Sequence, residues 1–541
     1  MSKFIYSFGN GQAEGMISDV ALLGNKGVRL AEMTRIGLPV PPGFTISTEA
    51  CQAYFKAGNV LSKDLELEIQ QAIVHLNETV ASSTSMKKAC FGDNTNPLLV
   101  SIRSGAPVSM PGMMDTLLNV SLNNKAIQGL ASHFNNRQFA YKTYLALIQK
   151  YGEIILGIST EIFITEGRFF LECAGVSTID ELSLEQLKRL AAKYRSVICT
   201  YSHHKFLQDP HKQMLAAIKA IFNSWNSPRA KIYREANNIP HDGGTAATVQ
   251  AMVYGNLDNM SATGVVFTRS PSTGKPGLYG ECLVKAQGED IVSGTYTPQP
   301  IAFLKDAQPE IYNELLCVGK FLECHFQDMQ DIEFTIQEGL LWILQSRNGK
   351  RTTDAALRIA VEMATEGLIS HEQAVSHTNT IRANQVPHYI LDPNVVHDVL
   401  ATGLKASPGI VSGEIVFYSD EAIQAKKNGK QVILVRPFTS PDDIHGMIAA
   451  AGILTSNGGM TSHAAVVCRS MNKPCIVGCP IEVHLLGNHF LIKNRRIKGG
   501  TVITLDGSTG HVIYGDAPQV LSESSNWANT LDSWAHNNIQ G

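Results

Sequence analysis

The chain has 541 residues, 44% of them hydrophobic and 17% charged, with a formal net charge of −3; that is length for two or three domains and no general attraction to nucleic acid or an anionic membrane. Its 10 cysteines are scattered without a C-x-x-C pair, no stretch approaches the roughly eighteen uncharged apolar residues of a membrane span, and residues 1–6 hold no apolar signal core. A cytoplasmic protein with reduced thiols is expected, and any affinity for phosphate must come from local sites.

Residues 24–46 read GNKGVRLAEMTRIGLPVPPGFTI. The glycine-flanked Lys26 opens an amphipathic helix, and Pro39, Pro41 and Pro42 force an extended entry into a strand. Lys26 at a helix start suits a nucleotide phosphate, and equally a solvated charge. Next, Leu98-Leu99-Val100-Ser101-Ile102 reads as an apolar strand that delivers Arg103 into a Ser/Gly turn, ahead of Val108-Ser109-Met110-Pro111-Gly112-Met113-Met114-Asp115-Thr116. A guanidinium fork with nearby Gly, Ser and Thr donors can wrap phosphates; a surface turn with a solvated arginine is the plainer alternative.

From about 136 to 234 the pattern is helical, with residues 181–194 amphipathic and Asp209-Pro210 and Ser227-Pro228 as breaks. His203-His204 at a polar helical end suits solvent better than a metal. Strands return in residues 244–300: Thr248-Val249-Gln250-Ala251-Met252-Val253, then Ala262 to Arg269, then a block around Ala286-Gln287-Gly288-Glu289-Asp290 and Thr297-Pro298-Gln299-Pro300. A hairpin follows, Asp331-Ile332-Glu333-Phe334-Thr335 with Leu341 to Arg347. Its alternation puts Asp331 and Glu333 on one face, a pair that suits Mg²⁺ bridging nucleotide phosphates, with Arg347 able to stabilise charge on a transferring group. A solvated hairpin face is the alternative.

Residues 352–402 read as a helical connector. A second α/β unit then draws strands from Val432 to Arg436, Gly452 to Thr455 and Val502 to Leu505, with a helix between the first two. Within it, Ile453-Leu454-Thr455 ends a buried strand, Gly458-Gly459 turns, and Thr461-Ser462 cap a helix that begins at His463. A phosphoryl group on that imidazole would meet backbone N–H groups and the positive end of the helix dipole, and neutral imidazole is a competent nucleophile near pH 7. A capped helix with a solvent-facing histidine is the bland reading of GG-x-T-S-H alone. Cys468, Cys475 and Cys479 nearby fit buried apolar roles better than metal ligation.

GGMTSHAAVV with Lys473-Pro474-Cys475 resembles the phosphohistidine domain of the pyruvate, phosphate dikinase family. The likeness runs from Gly24-Asn25-Lys26-Gly27 through SIRSGAPVSMPGMMDT, DIEFTI and LQSRNGKRT to Asp506-Gly507-Ser508-Thr509-Gly510. It implies an α/β and α+β multidomain chain: an ATP-grasp nucleotide-binding domain over 1–351 with a helical insertion at about 136–234, the connector over 352–402, a compact α/β swivelling phosphohistidine domain over 403–517, and a tail over 518–541. By resemblance, Lys26, Arg103, Gln250, Thr263, Gly264, Gln345 and Arg347 contact ATP, and Asp331 and Glu333 hold Mg²⁺ or ribose. His463 is the catalytic carrier, and Thr461 matches a regulatory phosphorylation site of plant members.

The implied chemistry is attack of His463 on the β-phosphorus of ATP with loss of AMP, then removal of the outer phosphoryl by inorganic phosphate as pyrophosphate. Onward transfer to pyruvate needs the family's C-terminal barrel, for which no residues remain. The nucleotide half-reaction is therefore expected, with a separate barrel protein as the candidate partner. One departure stands out: after FAY-x-x-Tyr the family's arginine is replaced by Leu145, which favours a water-dikinase-type enzyme as an alternative. Transfer to another acceptor and a non-catalytic regulatory remnant are the others. No Walker A, G-x-S-x-G or dinucleotide fingerprint competes.

Overall fold

The computed structural model describes residues 3–83, 86, 88–108, 110, 112–293, 298–383, 389–493, 495–521 and 526–537. Ser109 and Pro111 of the SMPGMMDT stretch and Thr297 of the TPQP block lie outside them. The chain gathers into two units, residues 1–258 with 342–345, and residues 259–341 with 346–541. Residues 1–351, over which one nucleotide domain is expected, contribute to both units.

The first unit holds a six-stranded antiparallel sheet in the order Gln12–Ala13, Ile5–Gly9, Gly43–Ile46, Ala246–Ala251, Val100–Gly105, Thr116–Val120. Its helical part runs from Ala126–His133 to Pro228–Ala236. The local causes are those written in the sequence: Ser183 and Gln186 form a capping box ahead of Leu184–Ser202, and Asp209 accepts from His211 N and Lys212 N where Pro210 opens the next helix. Phe139, Tyr144, Leu187, Ile218 and Phe222 bury their side chains in one core with the sheet's Phe44, Ile102 and Val249.

Lys26 sits in the helical stretch Val20–Arg35, which breaks at Gly24, φ 68° and ψ 166°. A Cβ there would lie 1.9 Å from Gly105 O, so only glycine lets the chain pass this close and restart the helix at Asn25, whose N–H donates to Ala106 O at 3.1 Å. The three prolines keep their stretch extended, and Pro41 O and Pro42 O receive hydrogen bonds from Gln250 Nε2 and Ala251 N at 3.0 and 2.9 Å.

The second unit holds the antiparallel strands Gln330–Gln337, Ala262–Arg269, Pro276–Val284 and Gln299–Pro300, adjacent in that order. Arg269, buried, ties them to two helices: its guanidinium donates to both carboxylate oxygens of Glu323 at 2.9 Å and to Glu366. The connector is only partly helical. Thr353–Thr365 and His371–Ala383 are helices, but Tyr389–Leu391 and Val399–Thr402 are strands. Tyr389–Leu391 pairs antiparallel with Gln519–Leu521 of the tail, and the tail helix Asn526–Asn537 seats Ala528 and Leu531 in the core of the two connector helices.

Eight strands, rather than the three expected, form the sheet that carries His463. Val399–Thr402, His511–Tyr514, Val502–Asp506, Ile410–Val416, Val432–Arg436, Gly452–Thr455, Cys475–Val477 and Leu404–Ser407 lie in that order. The run from Ile410–Val416 to Cys475–Val477 is parallel, so each connection must cross over through a helix. The crossover from Gly452–Thr455 to Cys475–Val477 is the helix His463–Ser470.

Candidate functional site

His463 is the first residue of its helix, with Ser462 at the N-cap, and is 9% exposed. The cap differs from expectation: Ser462 makes no side-chain cap bond, and the Thr461 hydroxyl turns elsewhere. The imidazole is oriented by Thr439, whose Oγ1 lies 3.1 Å from Nδ1. Thr439 follows the strand Val432–Arg436 in a loop laced to the histidine loop by Asn457 N donating to Pro437 O at 2.8 Å. Asp443 fixes that loop's far end, accepting from Ser440 N at 2.9 Å and from Ser419 Oγ at 3.0 Å.

The turn before His463 is held by Glu281, a residue sequence reasoning missed. Its carboxylate, 6% exposed, accepts from Met460 N at 2.7 Å, Thr461 N at 3.2 Å and Thr461 Oγ1 at 2.9 Å. Burial pushes its pKa up, against these three donors and the charge of Arg469. A side chain on Gly459 would run into the carboxylate, 2.2 Å from a Cβ, so a larger residue there would displace Glu281 from this turn. The signal that could have found Glu281 is an acid amid Tyr279-Gly280-Glu281-Cys282-Leu283, a lone charge in an otherwise uncharged strand segment, which needs a partner if it is buried. Thr461 itself is 3% exposed, its hydroxyl committed to this carboxylate.

The hairpin brings its charged groups together as the alternation predicts. Arg347 Nε donates to Asp331 Oδ2 at 2.8 Å, and its Nη2 lies 3.9 Å from Glu333 Oε1. Asp331 is buried, which pushes its pKa up in spite of Arg347, and its second oxygen, Oδ1, has no hydrogen-bond partner among the described residues.

Other expected ligand residues stand differently. Arg103 is not a solvated side chain in a turn: the strand Val100–Gly105 continues through it, and it is 9% exposed, with Nη2 donating to Gln250 Oε1 at 2.7 Å and Leu344 O at 2.9 Å. Gln250 uses both ends of its amide inside the protein, on Arg103 and on Pro41 O, so its side chain positions the arginine. Thr263 Oγ1 donates to Phe334 O at 3.2 Å, and a Cβ on Gly264 would lie 2.3 Å from the Phe334 ring; both have packing reasons of their own. Lys26 Nζ donates to Ser104 O at 2.8 Å, and Gln345 is buried. Lys26, Arg103, Gln250 and Gln345 belong to the first unit, and Thr263, Gly264, Asp331, Glu333, Arg347, Thr461 and His463 to the second.

Leu145, at the departure from the family pattern, is packed in the hydrophobic core of the helical region, while Tyr144 donates its hydroxyl to Asn124 Oδ1 at 2.9 Å. His203 caps a helix C-terminus in the left-handed conformation. Cys468, Cys475 and Cys479 are all buried. Among the described residues no group of three His, Cys, Asp or Glu side chains could hold a metal, and no helix is long and apolar enough to cross a membrane.

The helix-start histidine and the carboxylate–arginine hairpin lie in a chain whose two halves match a nucleotide-binding domain and a phosphohistidine-type mobile domain. Residues 20–314 and 304–368 match the family model described as pyruvate phosphate dikinase, AMP/ATP-binding domain, and residues 428–510 match that of the PEP-utilising enzyme, mobile domain. The chain belongs to the pyruvate, phosphate dikinase family. It is 46% identical to the pyruvate, phosphate dikinase of Rhizobium meliloti (strain 1021) and 44% identical to that of Clostridium symbiosum, each over 99% of this chain and 60% of the relative. To the chloroplastic pyruvate, phosphate dikinase 1 of Arabidopsis thaliana it is 46% identical over 98% of this chain and 55% of the relative. The chain thus spans a little over half the length of the curated relatives it matches.

Proposed function

We propose that this chain phosphorylates its own His463 from ATP, as the nucleotide half of a pyruvate, phosphate dikinase reaction, with an ATP-grasp nucleotide domain and a swivelling carrier domain. The observation that carries the reading is the Thr439 hydroxyl against His463 Nδ1. With Nδ1–H donated to that oxygen, the lone pair of the neutral ring lies on Nε2, which attacks the β-phosphorus. AMP departs with the bridging oxygen, inorganic phosphate takes the outer phosphoryl as pyrophosphate, and His463 keeps the inner one. Pyruvate is the proposed final acceptor, by analogy with the relatives' printed names.

Mg²⁺ fits the hairpin. Asp331 offers an unshared buried oxygen and Glu333 lies on the same strand face, two protein ligands that leave the remaining positions to phosphate oxygens and water. When bound there it would offset charge on the nucleotide phosphates. Arg347 and Lys26 are the proposed cationic contacts to ATP, and Arg103, buried and braced by Gln250, acts as a preset donor. A regulatory phosphate on Thr461 would require the turn to leave Glu281, because two anions cannot share that contact.

The test is labelling with ATP carrying radioactive β-phosphorus, in Mg²⁺ and inorganic phosphate. Label should appear on His463 with stoichiometric AMP and pyrophosphate, and His463→Ala should carry none. Label mapped to another residue, or phosphate released in place of pyrophosphate, would overturn the assignment.

A further inference from the structure

Arg469 has no task in the reaction as described so far. It lies in the last turn of the helix that begins at His463 and reaches back along it, Nη2 donating to Met460 O. The side chain is 4% exposed, yet Nε and Nη1 have no hydrogen-bond partner among the described residues. A guanidinium has five donors and stays protonated in proteins, so leaving two nitrogens unsatisfied in the interior is costly. Packing explains part of the placement, since the guanidinium carbon lies 5.3 Å from the centre of the Phe267 ring.

The surroundings are electrically mixed. Burial pushes the pKa of Arg469 down; Asp331, Cys475 and Glu281 act the other way, and Arg347 adds to the fall. Asp331 presents its own buried, unshared oxygen, Oδ1. Unsatisfied donors on the arginine and an unsatisfied acceptor on the aspartate are what an oxyanion and its cation would complete: oxygens would accept from the arginine, and the cation would take the carboxylate.

We propose that Arg469 is a phosphate-binding residue carried on the histidine helix, gripping the phosphoryl group with Nε and Nη1 as it passes from ATP to His463. This rests on the reading above that His463 is phosphorylated by ATP. The bond that breaks joins the β-phosphorus to the oxygen that leaves with AMP, and the bond that forms joins the β-phosphorus to Nε2. Arg469 contributes hydrogen bonds and charge to the phosphoryl oxygens and transfers no proton. Because it travels on the same helix as the nucleophile, it completes the site only when the carrier sits at the hairpin.

The full-length chain and its Arg469→Gln and Arg469→Lys variants separate the possibilities. Three quantities are measured on each: the single-turnover rate of His463 labelling from ATP and Mg²⁺, the equilibrium affinity for ATP with Mg²⁺, and the melting temperature. Arg469→Gln should slow labelling by roughly 100-fold or more, the lower end of what one preset donor to developing charge supplies. ATP affinity should stay within about threefold, and lysine, which keeps charge without the fork, should restore part of the rate. Wild-type labelling in Arg469→Gln overturns the proposal. So does a loss of rate that follows the fall in melting temperature across both variants, the mark of a packing role. Failure of the unmutated chain to label His463 defeats the underlying reading itself, and that control is scored first.

Discussion

Replacing Thr439 by valine keeps the shape of a buried side chain and removes one oxygen, the atom 3.1 Å from His463 Nδ1. Two effects follow from that deletion. The ring loses a hydrogen bond worth about 0.5–1.5 kcal/mol net, or about 1–3 kcal/mol where the partner is left buried and unsatisfied. In the proposed mechanism the hydroxyl accepts from Nδ1–H, and its removal then also ends the preference for the tautomer with its lone pair on Nε2. A loss of about 1–2 kcal/mol of orientation corresponds to roughly a 5–30-fold slower attack. The assay is the initial rate of His463 phosphorylation under saturating ATP, followed by chromatographic separation of the two phosphohistidine isomers. Thr439→Val should label at that reduced rate and yield a detectable Nδ1-phosphorylated fraction; Thr439→Ser, which keeps the hydroxyl, should stay near wild type. A valine variant that labels at the wild-type rate, solely on Nε2, would show that the hydroxyl does not direct the nucleophile.

Gly24→Ala should destabilise the first unit by at least about 1–3 kcal/mol from backbone strain alone, since φ 68° and ψ 166° are glycine territory and the new Cβ would meet Gly105 O; lower denaturant midpoints together with weaker ATP binding check this, and an unchanged midpoint refutes it. Glu281→Gln tests a pH effect. The folded pKa of Glu281 lies above its ordinary value of 4.5, so from about pH 4.5 up to the folded value the native chain keeps a proton that the unfolded chain releases. Stability from this group therefore falls as pH rises through that window. The glutamine variant should flatten the decline in denaturant midpoint measured upward from about pH 4.5, and parallel curves for the two proteins would count against it.

What could be read from the sequence was what short stretches determine by themselves. The strand, turn and helix around His463 lie within a few residues of one another, and the D-x-E hairpin is a two-strand alternation, so both appear where expected. Partners far apart in the chain were not visible. Glu281 meets Thr461 across 180 positions and Gln250 meets Arg103 across 147, and nothing local in Ser101-Ile102-Arg103-Ser104-Gly105 says that the strand runs on through a buried arginine. The Ser/Gly signal for a turn was outweighed by ladder pairing with Ala246–Ala251. Most strands missed in the sheet of His463 are four residues or fewer, too short for a period to establish itself, and they owe their existence to neighbours already in place. Thr439 was overlooked because a threonine in Phe438-Thr439-Ser440-Pro441 looks like any other loop residue until a ring is placed beside it.

The pairing of Tyr389–Leu391 with Gln519–Leu521 has a mechanical meaning. The polypeptide runs into the sheet region that carries His463 and out of it again along two strands that pair with each other. Two-stranded ribbons are the most strongly twisted of sheets. Three residue pairs contribute little free energy by themselves, and the ribbon can therefore unzip and close again at small cost. Where the chain enters that region and where it leaves are therefore tied to each other by backbone pairing.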